Sequence, residues 1–514
     1  MRAVSSASDR LATMLAWATL AAAARVDTDS CRPRLYTYRL PETYRDPNSN
    51  GMPLDGLGQP LRLRDQVDVP LWDTDQYSLA SLLYERALAY RCRTHNPALA
   101  DLFFVPSFKG LLSTMQKCAE PDSKVKLLQR LQVPLPNGSS RAAGQQRHGT
   151  SGSGGVLTTL EARGGADHII LNPRSGMTWE RFPYCELNMG SPSLGAALWL
   201  AMEAHPHNGS WVYPEGYCGK VCVDAYRPQL LSEPLYWSVP WTSTVHLDLS
   251  ASPTPPWASQ HTRSTLVAAH FGLVHQPILA RPTLQLRQKL LEQCAAQPSR
   301  CRSVPPMMMR GVGCSGAVCL SSERTALLYW DSTFCLQPGG DTITRKGIVD
   351  AMLLGCIPVL FHEGQRAQWP WHWGRWVQSA TMSLNQSAVR ADKLDVVSAL
   401  AAIPPARVSL LQANLRKHAH RMHYAAVDTS QLPSGLRGWS EPDAFEVILE
   451  GAWRVARDAR LQTLGRQVMR SKKSVGEMRA RQWRLAMASG SEDDSSGDLD
   501  GFIMDNVDEA ERRT

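Results

Sequence analysis

Ser332 to Leu360, STFCLQPGGDTITRKGIVDAMLLGCIPVL, is the stretch whose reading decides the fold. The apolar run Leu327 to Leu336 reads as a strand, Gln337 to Thr342 as a turn, Thr344 to Leu354 as a helix, and Cys356 to Phe361 as a buried strand. Together they form a βαβ unit. The turn carries Gly339, Gly340 and Asp341, and the helix opens with Thr344, Arg345 and Lys346. Backbone N–H groups, the positive end of a helix and two cations thus converge where an anion could sit. Arg345 offers phosphate oxygens a planar fork. The same spacing also fits a plain βα turn, in which Asp341 caps the helix and Lys346 pairs with Asp350 four residues on. The loop lacks the G-K-[ST] ending of a nucleotide triphosphatase, so a diphosphate that departs intact, as from a sugar nucleotide, suits it better.

A chain of 514 residues, 43% hydrophobic and 20% charged, can bury a large core and exceeds one ordinary domain, so two domains with appendages are expected. The net charge of +8 is modest, and much of the basic excess lies near the C-terminus without a motif that reads DNA or RNA. A nucleic-acid partner is not expected. The N-terminal residues 1–24 carry the apolar run LATMLAWATLAAAA behind Arg2 and Arg10, ending in small residues before Arg25. That pattern reads as a secretory signal, and it is shorter than the roughly 20 residues of a membrane span. Sequons at Asn137, Asn208 and Asn385 point the same way, as do twelve cysteines with the close pairs Cys218/Cys222, Cys294/Cys301 and Cys314/Cys319. A zinc site at Cys218/Cys222 would need a second ligand pair at zinc-module spacing, and none follows.

Working outward from the βαβ unit, Arg34 to Leu40 reads as a strand, Asp75 to Cys92 as an amphipathic helix and Asp101 to Ser107 as a second strand, the spacing of a parallel, doubly covered sheet. Residues 31–255 form an N-terminal domain, with a Gly/Ser/Arg/Gln-rich surface insertion at 137–155. Ala166 to Leu171 is another buried strand within it. Residues 262–430 form a C-terminal domain opened by the strand Leu266 to Phe271 and the helix Thr283 to Cys294. A helical pattern from Val396 to His423 breaks at Pro404-Pro405; a basic helix at 440–485 and an acidic, Ser/Gly-rich tail at 486–514 follow. Trp369, Trp371, Trp373 and Trp376 crowd the loop beyond the βαβ unit, either packed inside or stacked on a sugar face. Gly311, Gly313 and Gly316 spell G-x-G-x-x-G, but Cys314 interrupts the motif and no room remains for its helix, so a dinucleotide site is not expected.

The opening stretch resembles the signature of the exostosin-like family, glycosyltransferase family 47. LYTYRLPETY at 35–44, RTHNPALADLFFVPSF at 93–108, GGADH at 164–168, Arg263 with Phe271-Gly272, and DAFEVILEGAWR at 443–454 extend the resemblance in order along the chain. It implies a GT-B-type α/β fold, with two Rossmann-like domains facing across a cleft: acceptor on the N-terminal half, nucleotide sugar on the C-terminal half. It implies inverting transfer from a UDP-sugar to a glycan or glycoprotein, without metal or cofactor, in the Golgi lumen or membrane. It also sets a signal-anchor beside the cleaved signal and leaves a homo- or heterodimer open. The competing reading is a catalytically silent subunit that binds sugar nucleotide or glycan. By resemblance Arg263, Ser332, Gly340, Asp341 and Arg345 belong to the donor diphosphate region and Asp350 to the ribose hydroxyls. Asp167 and His168 are candidates for the general base, against a buried structural pair. Asn172-Pro173-Arg174-Ser175-Gly176 departs from the family's text on the acceptor side, and Cys335 and Cys356 fit family cysteines that either bridge or stay as thiols.

Overall fold

The computed structural model describes residues 31–38, 60–61, 71–76, 78–105, 165–172, 197–203, 236–247, 255–273, 282–303, 322–340, 343–426 and 441–459. The leader, the 137–155 insertion, the Gly311–Gly316 motif, Asp341, the pairs Cys218/Cys222 and Cys314/Cys319, and everything past 459 lie outside them. Two parallel sheets make up the α/β frame. Strands β1 (Leu35–Thr37), β4 (Arg93–Thr94), β5 (Leu102–Val105), β6 (His168–Asn172), β7 (Leu198–Ala201) and β8 (Tyr236–Ser238) form a six-stranded sheet in the order β4-β1-β5-β6-β7-β8. The hairpin strands β2 (Pro60–Leu61) and β3 (Leu71–Trp72) stand apart from it. Strands β9 (Thr265–Ala269), β10 (Cys301–Ser303), β11 (Ser332–Gln337), β12 (Ile357–Leu360) and β13 (Met382–Ser383) form a five-stranded sheet in the order β10-β9-β11-β12-β13. Central strands such as β5, β7 and β12 are continuous buried apolar runs, as a sheet covered on both faces requires.

The helices that matter here are α1 (Leu79–Leu88), α2 (Pro282–Ala296), α3 (Ser322–Trp330), α4 (Lys346–Leu353) and α5 (Pro405–His418). The βαβ unit is present as β11-α4-β12. Its first strand begins later than the apolar run suggested, because Leu327 to Trp330 close α3 instead; hydrophobicity without alternation fits either element. Pro404-Pro405 splits the long C-terminal pattern as expected, with Pro405 starting α5. Disulfides join Cys31 to Cys92, Cys294 to Cys301 and Cys335 to Cys356, the last tying β11 to the start of β12. Among the described residues no helix is long and apolar enough to cross a membrane.

The two sheets share one apolar core, in which Leu198, Leu200 and Met202 meet Cys335, Leu360 and Trp369. The segment after β8 is a polar seam within it. Tyr424 donates its hydroxyl to Pro240 O at 2.9 Å, His246 Nδ1 lies 2.6 Å from Tyr424 O, and Leu247 N donates to His423 Nε2 at 2.8 Å. A helix beginning at residue 444 returns to the N-terminal half, its cap Asp443 accepting from Glu446 N, Ala425 N and, at 2.8 Å, the Nε of Arg86 on α1. Both members of that ion pair are 1% exposed. Gly451 on this helix lies so close to the Trp371 ring that a Cβ there would fall 2.3 Å from it.

Candidate functional site

In an open parallel sheet a ligand crevice lies beyond the carboxyl ends of two neighbouring strands whose connections leave in opposite directions. In the five-stranded sheet these are β9 and β11, since the chain runs from β9 to β10 on one side and reaches β11 on the other. His270, Phe271 and Gly272 follow β9; Pro338, Gly339 and Gly340 follow β11. Arg287, from α2, clasps both turns by donating Nε to Gly339 O and Nη1 to Gly272 O, each at 2.8 Å. Its Nη2 lies 2.9 Å from where a Cβ on Gly340 would sit, so a side chain there would push the clasp away.

Arg345 is the residue that opens α4, with extended backbone at φ −164°. Its Nη2 donates to His270 O at 3.0 Å, while Nη1 is enclosed and makes no hydrogen bond. The His270 ring, 7% exposed, has Nε2 2.9 Å from Thr325 Oγ1 and an enclosed Nδ1 without a partner. Burial, and secondarily the Arg345 charge, pull His270 down to about 4, so its imidazole is neutral at physiological pH. Gln337, at the end of β11, donates to Tyr329 Oη at 3.2 Å and leaves Oε1 enclosed and unpartnered. Gly347 makes this crowding possible: a Cβ would stand 2.9 Å from Gln337 Oε1, 3.1 Å from Tyr329 Oη and 3.2 Å from Arg345 Nε. Three enclosed polar atoms without partners among the described residues lie beside this one βα turn, which makes it the candidate ligand site.

Arg345 and Gly340 are brought together here, and Asp341 lies outside the described residues. Ser332 and Arg263 are elsewhere. Ser332 begins β11, about 16 Å along the strand from Gln337 at the other end. Arg263 precedes β9 and donates Nη1 to Tyr329 O, Trp330 O and Ser332 O and Nη2 to Leu354 O, closing the ends of α3 and α4. Burial pulls its guanidinium down to about 10, still charged at neutral pH. Gly355, at φ +73°, permits this approach, since a Cβ there would lie 2.5 Å from Arg263 Nη2. Asp350 is 4% exposed; it accepts from Lys346 Nζ at 2.8 Å and from Thr244 N at 2.7 Å. The pairing weighed from the four-residue spacing is therefore present, and the carboxylate also ties α4 to the N-terminal half.

In that half Asp167 and His168 are 1% and 0% exposed. His168 Nδ1 lies 2.8 Å from Asp167 Oδ1, Nε2 lies 2.9 Å from Tyr38 Oη, and Phe103 stacks on the ring at 4.4 Å. The pair sits where β6 begins, and the opposite end of that strand, Asn172, is level with Ala201 of β7. A different carboxylate occupies the far edge: Glu203, 2% exposed, two residues beyond β7. It accepts hydrogen bonds from both the backbone N–H and the hydroxyl of Thr344, the residue before Arg345. Trp241 Nε1 donates to the same hydroxyl at 2.8 Å. Sequence reasoning did not single out Glu203; its only signal is an acid directly after the apolar run ALWLAM.

The tryptophans of the 369–376 loop pack inside. Trp369 and Trp373 are fully buried, Trp371 stacks on Trp237 at 4.7 Å and Trp376 on His418 at 5.2 Å. Trp369 adopts φ +52°, a left-handed conformation held by hydrogen bonds from its N–H to Ser238 Oγ and from its indole to Met202 O, both 2.8 Å. Among the described residues no group of three or more His, Cys, Asp or Glu side chains is placed to hold a metal ion.

The model of the Exostosin GT47 domain matches residues 30–373. Among curated proteins of Arabidopsis thaliana the chain is similar to xyloglucan-specific galacturonosyltransferase 1, at 25% identity over 64% of this chain and 42% of the relative. It is 29% identical to xyloglucan galactosyltransferase MUR3 over 77% of this chain and 55% of the relative. To probable xyloglucan galactosyltransferase GT12 it is 22% identical over 86% of this chain and 80% of the relative. The chain thus spans less than half the length of the first of these relatives. A solved structure described as the glycotransferase of kitacinnamycin aligns with 67% of this chain and 72% of that one, at 12% identity and a TM-score of 0.25, a likeness too slight to argue from.

Proposed function

Because the chain belongs to the exostosin GT47 family, we propose that it is a glycosyltransferase that moves a sugar from a UDP-sugar to a glycan or glycoprotein acceptor with inversion at the anomeric carbon. The observation that carries this reading is Arg345: a guanidinium at the opening of α4, on the ligand edge of the five-stranded sheet, with an enclosed Nη1 that no group among the described residues satisfies. The diphosphate of the donor meets Arg345 and the turn clasped by Arg287. Charge that develops on departing UDP is stabilised by fixed guanidinium donors and the helix end, a preorganised arrangement that needs no metal ion. His270 and Gln337 offer a further neutral donor and acceptor to the same ligand. Asp350 remains the acidic position nearest the nucleoside in this reading, and a ribose hydroxyl would compete with Lys346 and Thr244 for it. Arg263 and Ser332 act as supports of the sheet's amino end.

Disulfides in the described residues suit an oxidising lumen, and we place the protein in the Golgi branch of the secretory pathway. The curated relatives are named for xyloglucan and for galactosyl or galacturonosyl transfer, which makes UDP-galactose and UDP-galacturonic acid the first donors to try and xyloglucan oligosaccharide the first acceptor. The test is a panel of UDP-sugars offered to the purified protein, with UDP release and labelled product both measured. Folded protein that neither hydrolyses nor transfers any donor would refute the enzyme reading and leave a silent binding subunit.

A further inference from the structure

We propose that Glu203 is the general base of the transfer, supplied by the acceptor half of the molecule; the assignment rests on the glycosyltransferase reading above. An inverting transfer needs a base on the acceptor side, close to the donor yet across the sugar from the leaving diphosphate. On the six-stranded sheet the described residues that follow the strands at the carboxyl edge include Tyr38, His95, Met202, Glu203 and Val239, and Glu203 is the one carboxylate among them. Asp101 precedes β5 and is taken up by Arg34 N at 2.7 Å, and Asp167 precedes β6 and is taken up by His168. Counted along β6 and β7, the Asp167–His168 pair lies about 20 Å from the level of Glu203, too far for either side chain to act at the same place.

Two contacts hold Glu203 in its position. Thr344 presents its backbone N–H and its hydroxyl to the carboxylate, and the Trp241 indole donates to that hydroxyl, so the hydroxyl's own proton is directed at Glu203. Glu203 and Trp241 belong to the acceptor half; Thr344 belongs to the donor loop and is bonded to Arg345, the group assigned to the diphosphate. The carboxylate is therefore placed beside the donor by the other half of the protein, which is the relation a base must have to an acceptor hydroxyl. In the step itself the acceptor O–H gives its proton to the Glu203 carboxylate as its oxygen bonds to the anomeric carbon. The bond from that carbon to the β-phosphate oxygen breaks, and its electron pair leaves with UDP.

The test uses the full chain, with UDP and UDP-galactose as probes and xyloglucan oligosaccharide as acceptor. In Glu203→Gln the amide oxygen can still accept from Thr344, but the side chain cannot take up a proton. Transfer kcat is expected to fall by about 100-fold or more, within the range that general-base removal gives, while the UDP Kd and the melting temperature stay at wild-type values. Glu203→Asp, which keeps the charge on a shorter arm, should retain more activity than Glu203→Gln. A Glu203→Gln protein that melts normally and keeps kcat within fivefold of wild type overturns the assignment. So does a loss that lies wholly in UDP affinity. A wild-type protein that binds no UDP and transfers nothing overturns the glycosyltransferase reading, and the base with it.

Discussion

Substituting Arg345 by alanine removes the guanidinium whose Nη2 holds His270 O and whose Nη1 awaits a partner. A charge-assisted contact to a diphosphate contributes about 2 to 4 kcal/mol to donor binding, so its loss is about a 30- to 900-fold rise in the Kd for UDP. The cost to the fold is small by comparison, one hydrogen bond to a carbonyl or about 1 kcal/mol. Arg263→Ala is the matched control, because it deletes the same chemical group from the other end of the sheet. Four backbone carbonyls lose their donor there, and the destabilisation is on the order of 3 to 5 kcal/mol after allowing for non-additivity. Calorimetric titration with UDP and thermal melting, run on both variants, separate the two roles. Arg345→Ala should lose affinity and keep its melting temperature, and Arg263→Ala should do the reverse at temperatures where it is folded. Wild-type UDP affinity in Arg345→Ala would refute the diphosphate assignment, and lost UDP affinity with normal melting in Arg263→Ala would return that residue to the donor site.

Asp443→Ala strands the buried Arg86 charge and removes a helix cap, and should cost about 4 to 5 kcal/mol in denaturant unfolding; a loss under 1 kcal/mol would show that the pair is dispensable. Burial holds His246 down to about 4 and His372 and His423 down to about 3, so the folded protein keeps them neutral while the unfolded chain protonates below about 6.5. Stability should therefore be lost as the pH falls from about 6.5 towards 4, by at most about 3 kcal/mol for each group, and a melting temperature that stays flat from pH 7 to pH 4.5 would contradict it. Gly347→Ala puts a methyl group among Gln337 Oε1, Tyr329 Oη and Arg345 Nε, and should weaken UDP binding at least tenfold with only a modest loss in melting temperature; unchanged binding would mean that these three groups do not shape the donor site.

The frame was legible because its signals are local. Buried strands are apolar runs, glycines mark the turn at 339–340, and a proline pair stops a helix; each acts within a few residues. What could not be read is whatever depends on which end of a strand a residue occupies and what lies across the core. Arg263 and Arg345 are the same residue type flanking neighbouring strands, yet one precedes its strand and the other follows one, and only the topology separates them. Asp350 pairs with Lys346 as the four-residue spacing allows, but its other partner, Thr244, lies 106 residues away in the chain. Glu203 is an unremarkable acid after a hydrophobic run until the fold sets it against Thr344, 141 residues on.

The ion pair between Arg86 and Asp443 joins residues 357 positions apart. At about 5 to 20 residues per second, a ribosome needs roughly 20 to 70 s to make the second after the first has emerged. Through that interval the α1 helix has neither its counter-charge nor the returning helix, whose Phe445 ring lies over Arg86, so the N-terminal half cannot reach its final state as a separate unit during synthesis. Truncation anywhere before Asp443 should then leave a nascent chain with an exposed apolar face, a client for chaperones. The helix that Asp443 caps, about 100 residues beyond the donor loop in the chain, thus sets when α1 gains its cover.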